Sequence, residues 1–240
     1  MADIKCPSGL RLSVRGLKGR ELKILEDKQL HRSGAFVDKL FNACVTEVLD
    51  GGPYNTEPGK SINWDNVLIG DRYAVLLAIR AETFGQDYNF SIECKHCDEK
   101  IKWNLRLDEL PVQELAPEDA QAFARNEPMV AVVDGKTIKF KLGTGKDEKA
   151  AALHKKVDNA IVTMLARKIV EIEGVQTGLV RAYLEDLDLA PLLRIQKELQ
   201  RRDCGTETKI SIECPDCEGE FEVELPLGRS FWIPEEDTKK

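Results

Sequence analysis

Phe90-Ser-Ile-Glu-Cys94-Lys-His-Cys97 returns as Ile210-Ser-Ile-Glu-Cys214-Pro-Asp-Cys217, a shift of 120 positions. Ser91 to Cys94 and Ser211 to Cys214 are identical. Each cysteine pair then runs into an alternating segment, with Ile101, Trp103 and Leu105 in the first copy and Phe221, Val223 and Leu225 in the second. Apolar residues at every second position are the period of a half-buried strand. Each copy therefore reads as strand, cysteine turn, strand. Two thiolates at a hairpin tip can converge on one ion while nearby backbone N–H groups donate to the sulfurs. Two such tips supply the four sulfurs, about 2.3 Å from the metal, that tetrahedral zinc takes. A lone two-stranded hairpin is marginal in water. The two copies are thus expected to stand together as a zinc ribbon, closed around one structural zinc ion held by Cys94, Cys97, Cys214 and Cys217.

This ribbon would be discontinuous, because 116 residues lie between Cys97 and Cys214. Closing so long a loop costs roughly 4 kcal/mol by the logarithmic law, against about 10–16 kcal/mol returned by structural zinc in small peptides. The metal wins that comparison before any folding of the intervening chain. The spacing leaves other pairings open: an iron–sulfur cluster on the same four thiolates, or each knuckle completed by one from another chain. A thioredoxin-like dithiol oxidoreductase is disfavoured, since it needs C-x-x-C at a helix start, where the dipole lowers a thiol pKa. Both pairs here lead into strands. Four thiolates also fill a tetrahedral shell and leave no open position for catalysis. His96 lies inside the first knuckle and reads as an exposed turn residue.

The remaining cysteines of the seven, Cys6, Cys44 and Cys204, have no partner spacing, and Cys44 falls in the apolar pattern Phe36-Val37-Leu40-Phe41. Paired cysteines in a chain with no visible export signal point to metal before disulfide. Across 240 residues, 42% are apolar and 32% charged, ordinary for a globular protein with a core. The absence of an apolar run of about eighteen residues argues against a membrane span. A net charge of −7 with scattered Lys and Arg argues against a phosphate-binding face, so a zinc-ribbon nucleic-acid module is the alternative reading rather than the first.

Outward from the repeat, the pattern is that of an α+β protein. Leu10 to Gly16 alternates as a strand. Helices are expected over Gly34–Leu49 and from Asp71, as N-cap, to Phe84, with Gly85 as a left-handed cap. Asp50 to Gly59 is turn-rich and reads as a flexible loop, and Leu110 to Glu118 as a proline- and acid-rich connection. Strands at Met129–Val133 and Thr137–Leu142 flank the hairpin dipeptide Asp134-Gly135. A long amphipathic helix is expected over Asp147–Ile172, with Leu153, Val157, Ile161, Leu165 and Ile169 spaced by four, then shorter helices near Gly178–Glu185 and Leu189–Arg201. The expected division is 1–86 for an N-terminal strand and helices, 87–107 for the first knuckle hairpin, and 108–206 for a mainly helical insertion carrying a β-hairpin. The second knuckle hairpin and an aromatic tail follow over 207–234, then a charged disordered end over 235–240.

Other candidate chemistry is thin. Gly143-Thr-Gly-Lys146 departs from a phosphate loop at both ends: Phe140 stands at the earlier glycine, and Asp147 follows the lysine. With only His31, His96 and His154, no nucleophile–histidine–acid set presents itself, and Asp186 and Asp188 read as caps or solvated carboxylates. The chain is read as not an enzyme. Phe231 and Trp232 have two readings: folded back on the core, or exposed as a docking anchor for a partner protein.

Leu68-Ile-Gly-Asp71-Arg-Tyr-Ala-Val-Leu-Leu-Ala-Ile-Arg80-Ala-Glu-Thr-Phe-Gly85 before a C-x-x-C resembles the baseplate hub assembly proteins of contractile-tailed phages of the T-even type. Thr177-Gly-Leu, Leu184-Glu-Asp-Leu-Asp-Leu and the ending Cys214-Pro-Asp-Cys217, Leu225-Pro-Leu and Phe231 are similar to that family as well. The resemblance implies a non-enzymatic chaperone or structural role in building the tail baseplate hub, or that of a related injection machine. Its partners would be other baseplate or hub proteins, and its location the host cytoplasm during assembly and the virion tail. Members differ in whether both cysteine pairs are kept, so only the four cysteines carry over.

Overall fold

In the computed structural model, residues 1–153 and 159–234 are described. The chain begins with a hairpin, β1 (Ala2–Lys5) against β2 (Arg11–Val14), and β3 (Val45–Asp50) adds to the other side of β2. Three helices lie between β2 and β3: α1 (Leu22–Glu26), α2 (Lys28–Ser33) and α3 (Phe36–Cys44). Asp27 caps α2 by accepting from the Gln29 and Leu30 N–H groups. The helix expected over Gly34–Leu49 thus ends at Cys44. Val45 and Val48 fit a helical stripe and a strand equally well, but they are β-branched, and pairing with Val14 and Leu12 decides for the strand.

The apolar helix is α4 (Ile69–Phe84), which starts before Asp71. Asp71 does not cap it; the carboxylate sits in the first turn, fully buried, and accepts from the Ser8 N–H (2.9 Å), the Ser8 hydroxyl and the Tyr54 hydroxyl (2.5 Å). That contact also pins the 50–59 segment, which is further held by the Asn55 side chain on the Ala124 carbonyl (3.0 Å) and by the Gly59 N–H on the Val48 carbonyl. The expectation of a free loop there is corrected. Gly85 follows α4 with φ 87°, a backbone angle glycine adopts without strain.

β4 (Asp87–Glu93) and β5 (Lys100–Arg106) form the first cysteine hairpin. The acidic connection contains β6 (Val112–Gln113) and α5 (Pro117–Ala124), the latter with Pro at its first turn. β7 (Met129–Val133) and β8 (Lys136–Phe140) turn through Asp134 (φ 50°) and Gly135 (φ 77°), both left-handed as the dipeptide predicts. The helix expected over Asp147–Ile172 is instead α6 (Gly145–Leu153), α7 (Ala160–Lys168) and a strand, β9 (Ile169–Ile172), paired to β8. Ile169 and Ile172 are buried as strand residues. The reading of Val157 and of the 235–240 end lies outside the described residues.

α8 (Val180–Asp186), α9 (Leu189–Arg201) and β10 (Gly205–Thr206) close the insertion. β11 (Lys209–Glu213) and β12 (Glu220–Glu224) form the second cysteine hairpin, and α10 (Arg229–Trp232) follows. β6 pairs antiparallel with β10, Gln113 against Gly205 and Val112 against Thr206. The two ends of the insertion are therefore joined by backbone ladder beside the two hairpins.

Two apolar clusters form. The first gathers β2, α3, most of α4, both cysteine hairpins and α10; the second gathers α5, β7–β9 and α7–α9 with Leu68. Phe231 and Trp232 are 0% and 4% exposed. Phe231 meets Tyr88 edge-on at 5.2 Å, and the buried Arg80 guanidinium lies over Phe84, Tyr88 and Phe231 at 4.7, 5.5 and 5.8 Å. The aromatic tail folds back on the core, and the docking reading of these two side chains is corrected: burial leaves them no face for a partner.

Candidate metal centre

The two knuckles are backbone copies of one another. In the first, the Cys94 N–H donates to the Glu99 carbonyl and the Asp98 N–H to the Cys94 carbonyl; in the second, Cys214 donates to Gly219 and Glu218 to Cys214. Asp98 and Glu218 both turn through positive φ, 60° and 57°. This shared turn lifts the two cysteines of each pair to the same side of the hairpin tip.

The tips meet. Cys94 Sγ lies 3.7 Å from Cys217 Sγ, and Cys97 Sγ lies 3.7 Å from Cys214 Sγ. All four sulfurs fall within 4.8 Å of one another. Sulfurs at the corners of a tetrahedron with bonds of about 2.3 Å stand about 3.8 Å apart, so the spacing fits one shared ion of zinc's size. Cys94 and Cys214 are buried, Cys97 half-buried and Cys217 exposed, which places the cluster at the edge of the first apolar core.

Four thiols this close together do not ionise independently. Burial raises the Cys94 thiol, but N–H groups of His96 and Cys97 and the thiols of Cys214 and Cys97 outweigh it and draw Cys94 down to about 6. The Glu99 N–H favours the Cys97 thiolate, yet burial and the sulfurs of Cys217, Cys94 and Cys214 push Cys97 up to about 12. One thiolate is stabilised and its neighbour is suppressed, as like charges in one site require. A divalent cation at the centre removes that conflict and lets all four ionise.

Direct contacts between the hairpins add to the thiol cluster, and the sequence reading missed them. His96 Nε2 contacts the Glu220 carbonyl at 3.1 Å, and its ring meets Phe221 edge-on at 6.0 Å. Lys95 Nζ donates to the Glu222 carbonyl at 2.5 Å. His96 thus bridges the hairpins and stands outside the four-sulfur set. It passes over Gly219, where an added Cβ would come within 2.5 Å of the imidazole. Behind the tips, the Tyr88 hydroxyl donates to the Pro226 carbonyl. The only hint of these contacts in the sequence is that Gly219 replaces Glu99 between otherwise parallel turns.

Cys6, Cys44 and Cys204 lie apart from this cluster and are buried; burial raises all three thiols. Gly143-Thr-Gly-Lys146 is a helix entry: the Thr144 N–H and hydroxyl both bond the Asp147 carboxylate, at 2.9 and 3.0 Å. Among the described residues, the four cysteines are the one group able to hold a metal through three or more such side chains. None of the described helices is long and apolar enough to cross a membrane.

Fold and site together define an α+β protein in which two hairpins, far apart in the chain, are fastened tip to tip at a four-thiol cluster. The family described as T4 bacteriophage base plate protein matches residues 19–231, and the chain belongs to that family. No curated protein and no solved structure matches it. Membership points to a structural or assembly role in the phage tail and to contacts with other base plate components.

Proposed function

We propose that this chain is a non-enzymatic, zinc-stabilised assembly or structural protein of the phage tail baseplate hub, or of the hub of a related contractile injection machine. Cys94, Cys97, Cys214 and Cys217 hold one structural zinc ion, and the two cysteine hairpins form one ribbon interrupted by the insertion. The observation that carries this reading is the convergence of four sulfurs within 4.8 Å from hairpins 120 positions apart, in a chain of a base plate family. Their donor set is saturated by protein thiolates, so the ion fixes structure rather than binding substrate. The protein folds and works in the host cytoplasm during assembly, and the virion tail is where its partners come to rest.

The test is complementation of a phage lacking the gene. Cells supplying the parent chain, purified with one zinc per polypeptide by elemental analysis, restore complete baseplates. Cells supplying Cys94→Ser or Cys214→Ser accumulate tails or baseplate parts arrested at the hub. Full assembly with a metal-free cysteine variant would sink the proposal.

A further inference from the structure

A cleft of about 1000 Å³ opens between the 53–69 segment and the insertion. That is the upper end for small-molecule pockets, and clefts between packing units are favoured binding places. Its walls combine two chemistries. Ile62, Phe123, Met129 and Met164 supply apolar surface, with two methionines whose flexible side chains adapt to different occupants. Lys141, Lys146 and Arg167 line the same cleft, are exposed, and have no ion-pair partner among the described residues.

The other charges around the cleft are mostly committed. Glu148 pairs with Arg72 at 2.7 Å, Lys168 with Asp203 at 2.6 Å, and Asp147 caps Thr144. Taken together, the described residues lining it carry four cations, Lys141, Lys146, Arg167 and Lys168, against three carboxylates, Glu127, Asp147 and Glu148. This local positive excess stands in a chain of net charge −7. The amides of Asn66 and Asn126 also line the cleft, are exposed and carry no side-chain hydrogen bond among the described residues. Behind the same wall the Thr163 hydroxyl is removed from water and has no hydrogen-bond partner among the described residues.

We infer that this cleft binds an acidic, apolar-studded peptide segment of a partner protein. Carboxylates of the segment meet Lys141, Lys146 and Arg167, its apolar side chains enter between Phe123, Met129 and Met164, and Asn66 and Asn126 pair with its backbone. A nucleotide or free phosphate fits less well: the helix entry that could cradle it, at Thr144, is already filled by Asp147. The inference goes beyond the zinc-ribbon proposal, since no lining residue comes from either cysteine hairpin.

The experiment selects a displayed random heptapeptide library on the full native chain and measures recovered peptides by fluorescence anisotropy. The expected result is enrichment of sequences that interleave Asp or Glu with aliphatic or aromatic residues, with binding weakened by high salt. Lys141→Glu/Lys146→Glu/Arg167→Glu, which alters only exposed side chains and keeps the parent circular dichroism, should lose at least about tenfold in affinity, equal to about 1.4 kcal/mol. Met164→Asp should lose a comparable amount through the apolar wall. Recovery of no peptides, recovery without acidic bias, equal binding by the charge-reversed chain, or preferential displacement by a single-stranded oligonucleotide would each overturn the inference. Retained peptide binding in Cys94→Ser would leave it standing even if the zinc proposal failed.

Discussion

Glu21 shows how one side chain ties stability to pH. It is 3% exposed and accepts from Arg15 Nη2 (2.9 Å), Arg20 Nε (2.8 Å) and the Lys18 N–H (2.7 Å). Burial alone would raise its pKa, but the two guanidinium groups and the backbone donor outweigh burial and take it from 4.5 to about 2. The folded value lies below the unfolded one. Its contribution is therefore present above about pH 4.5 and is lost as pH falls toward 2. At about 1.4 kcal/mol per pH unit the upper end is about 3 kcal/mol. Glu21→Gln should thus be about 2–3 kcal/mol less stable than the parent near neutrality, with the gap closing in acid. Urea unfolding of both chains across the acid range measures it, and a gap independent of pH would show that the charge is not what Glu21 contributes. Arg20 and Glu21 are neighbours in the sequence, but nothing in it shows that Glu21 is buried or that Arg15, six residues earlier, turns back onto it. The cysteines are the opposite case: their spacing is a local chemical constraint and is read directly.

At the scale of elements, what was legible depended on whether a segment's partner could be inferred. The cysteine hairpins were clear because their period of two and their turn chemistry agree, and because each copy supports the reading of the other. Val45–Leu49 and Ile169–Ile172 continue an i, i+4 apolar stripe and so read as helix ends; β2 and β8, distant in sequence, convert them to strands. β1, β6 and β10 are too short to signal themselves. The hairpins share the first apolar cluster with β2, α3 and α4, so a fault at the tips should propagate only part of the way. Cys94→Ser is expected to keep the helical circular dichroism of the parent while amides in 87–106 and 209–224 lose hydrogen-exchange protection. Cys214→Ser should match it, since four ligands act as one set. The idea fails if the first hairpin alone loses protection in Cys94→Ser and the second stays as protected as before.

The whole molecule is two apolar clusters held by a few seams, and Gly70 lies at the tightest. It sits in α4 where β10 crosses: a Cβ there would come within 2.0 Å of the Cys204 carbonyl oxygen and 2.8 Å of the Gly205 Cα. Both obstructing atoms are backbone, so no rotamer change relieves the clash. Gly70→Ala must push β10 from α4, and with it the β6–β10 pair that joins the ends of the insertion. Other seams remain, chiefly the buried Arg72 guanidinium, which pairs with Asp38 and Glu148 at 2.7 Å each and so links α3, α4 and α6. The substitution should therefore loosen the two clusters from each other before it unfolds either. All three tryptophans, Trp64, Trp103 and Trp232, pack in the first cluster, whereas α5, α7, α8 and α9 belong to the second. Tryptophan fluorescence consequently follows one cluster and far-ultraviolet circular dichroism follows both. In the parent chain the two urea transitions should coincide, as cooperative unfolding requires. In Gly70→Ala the circular dichroism transition should move to lower urea and broaden, with a total loss of about 2–4 kcal/mol, while the fluorescence midpoint moves less. Gly178→Ala, with open space around its Cβ, is the control and should change stability by less than about 0.5 kcal/mol. If the two probes of Gly70→Ala still coincide at the parent midpoint, the crossing of α4 and β10 is not what couples the insertion to the rest of the chain.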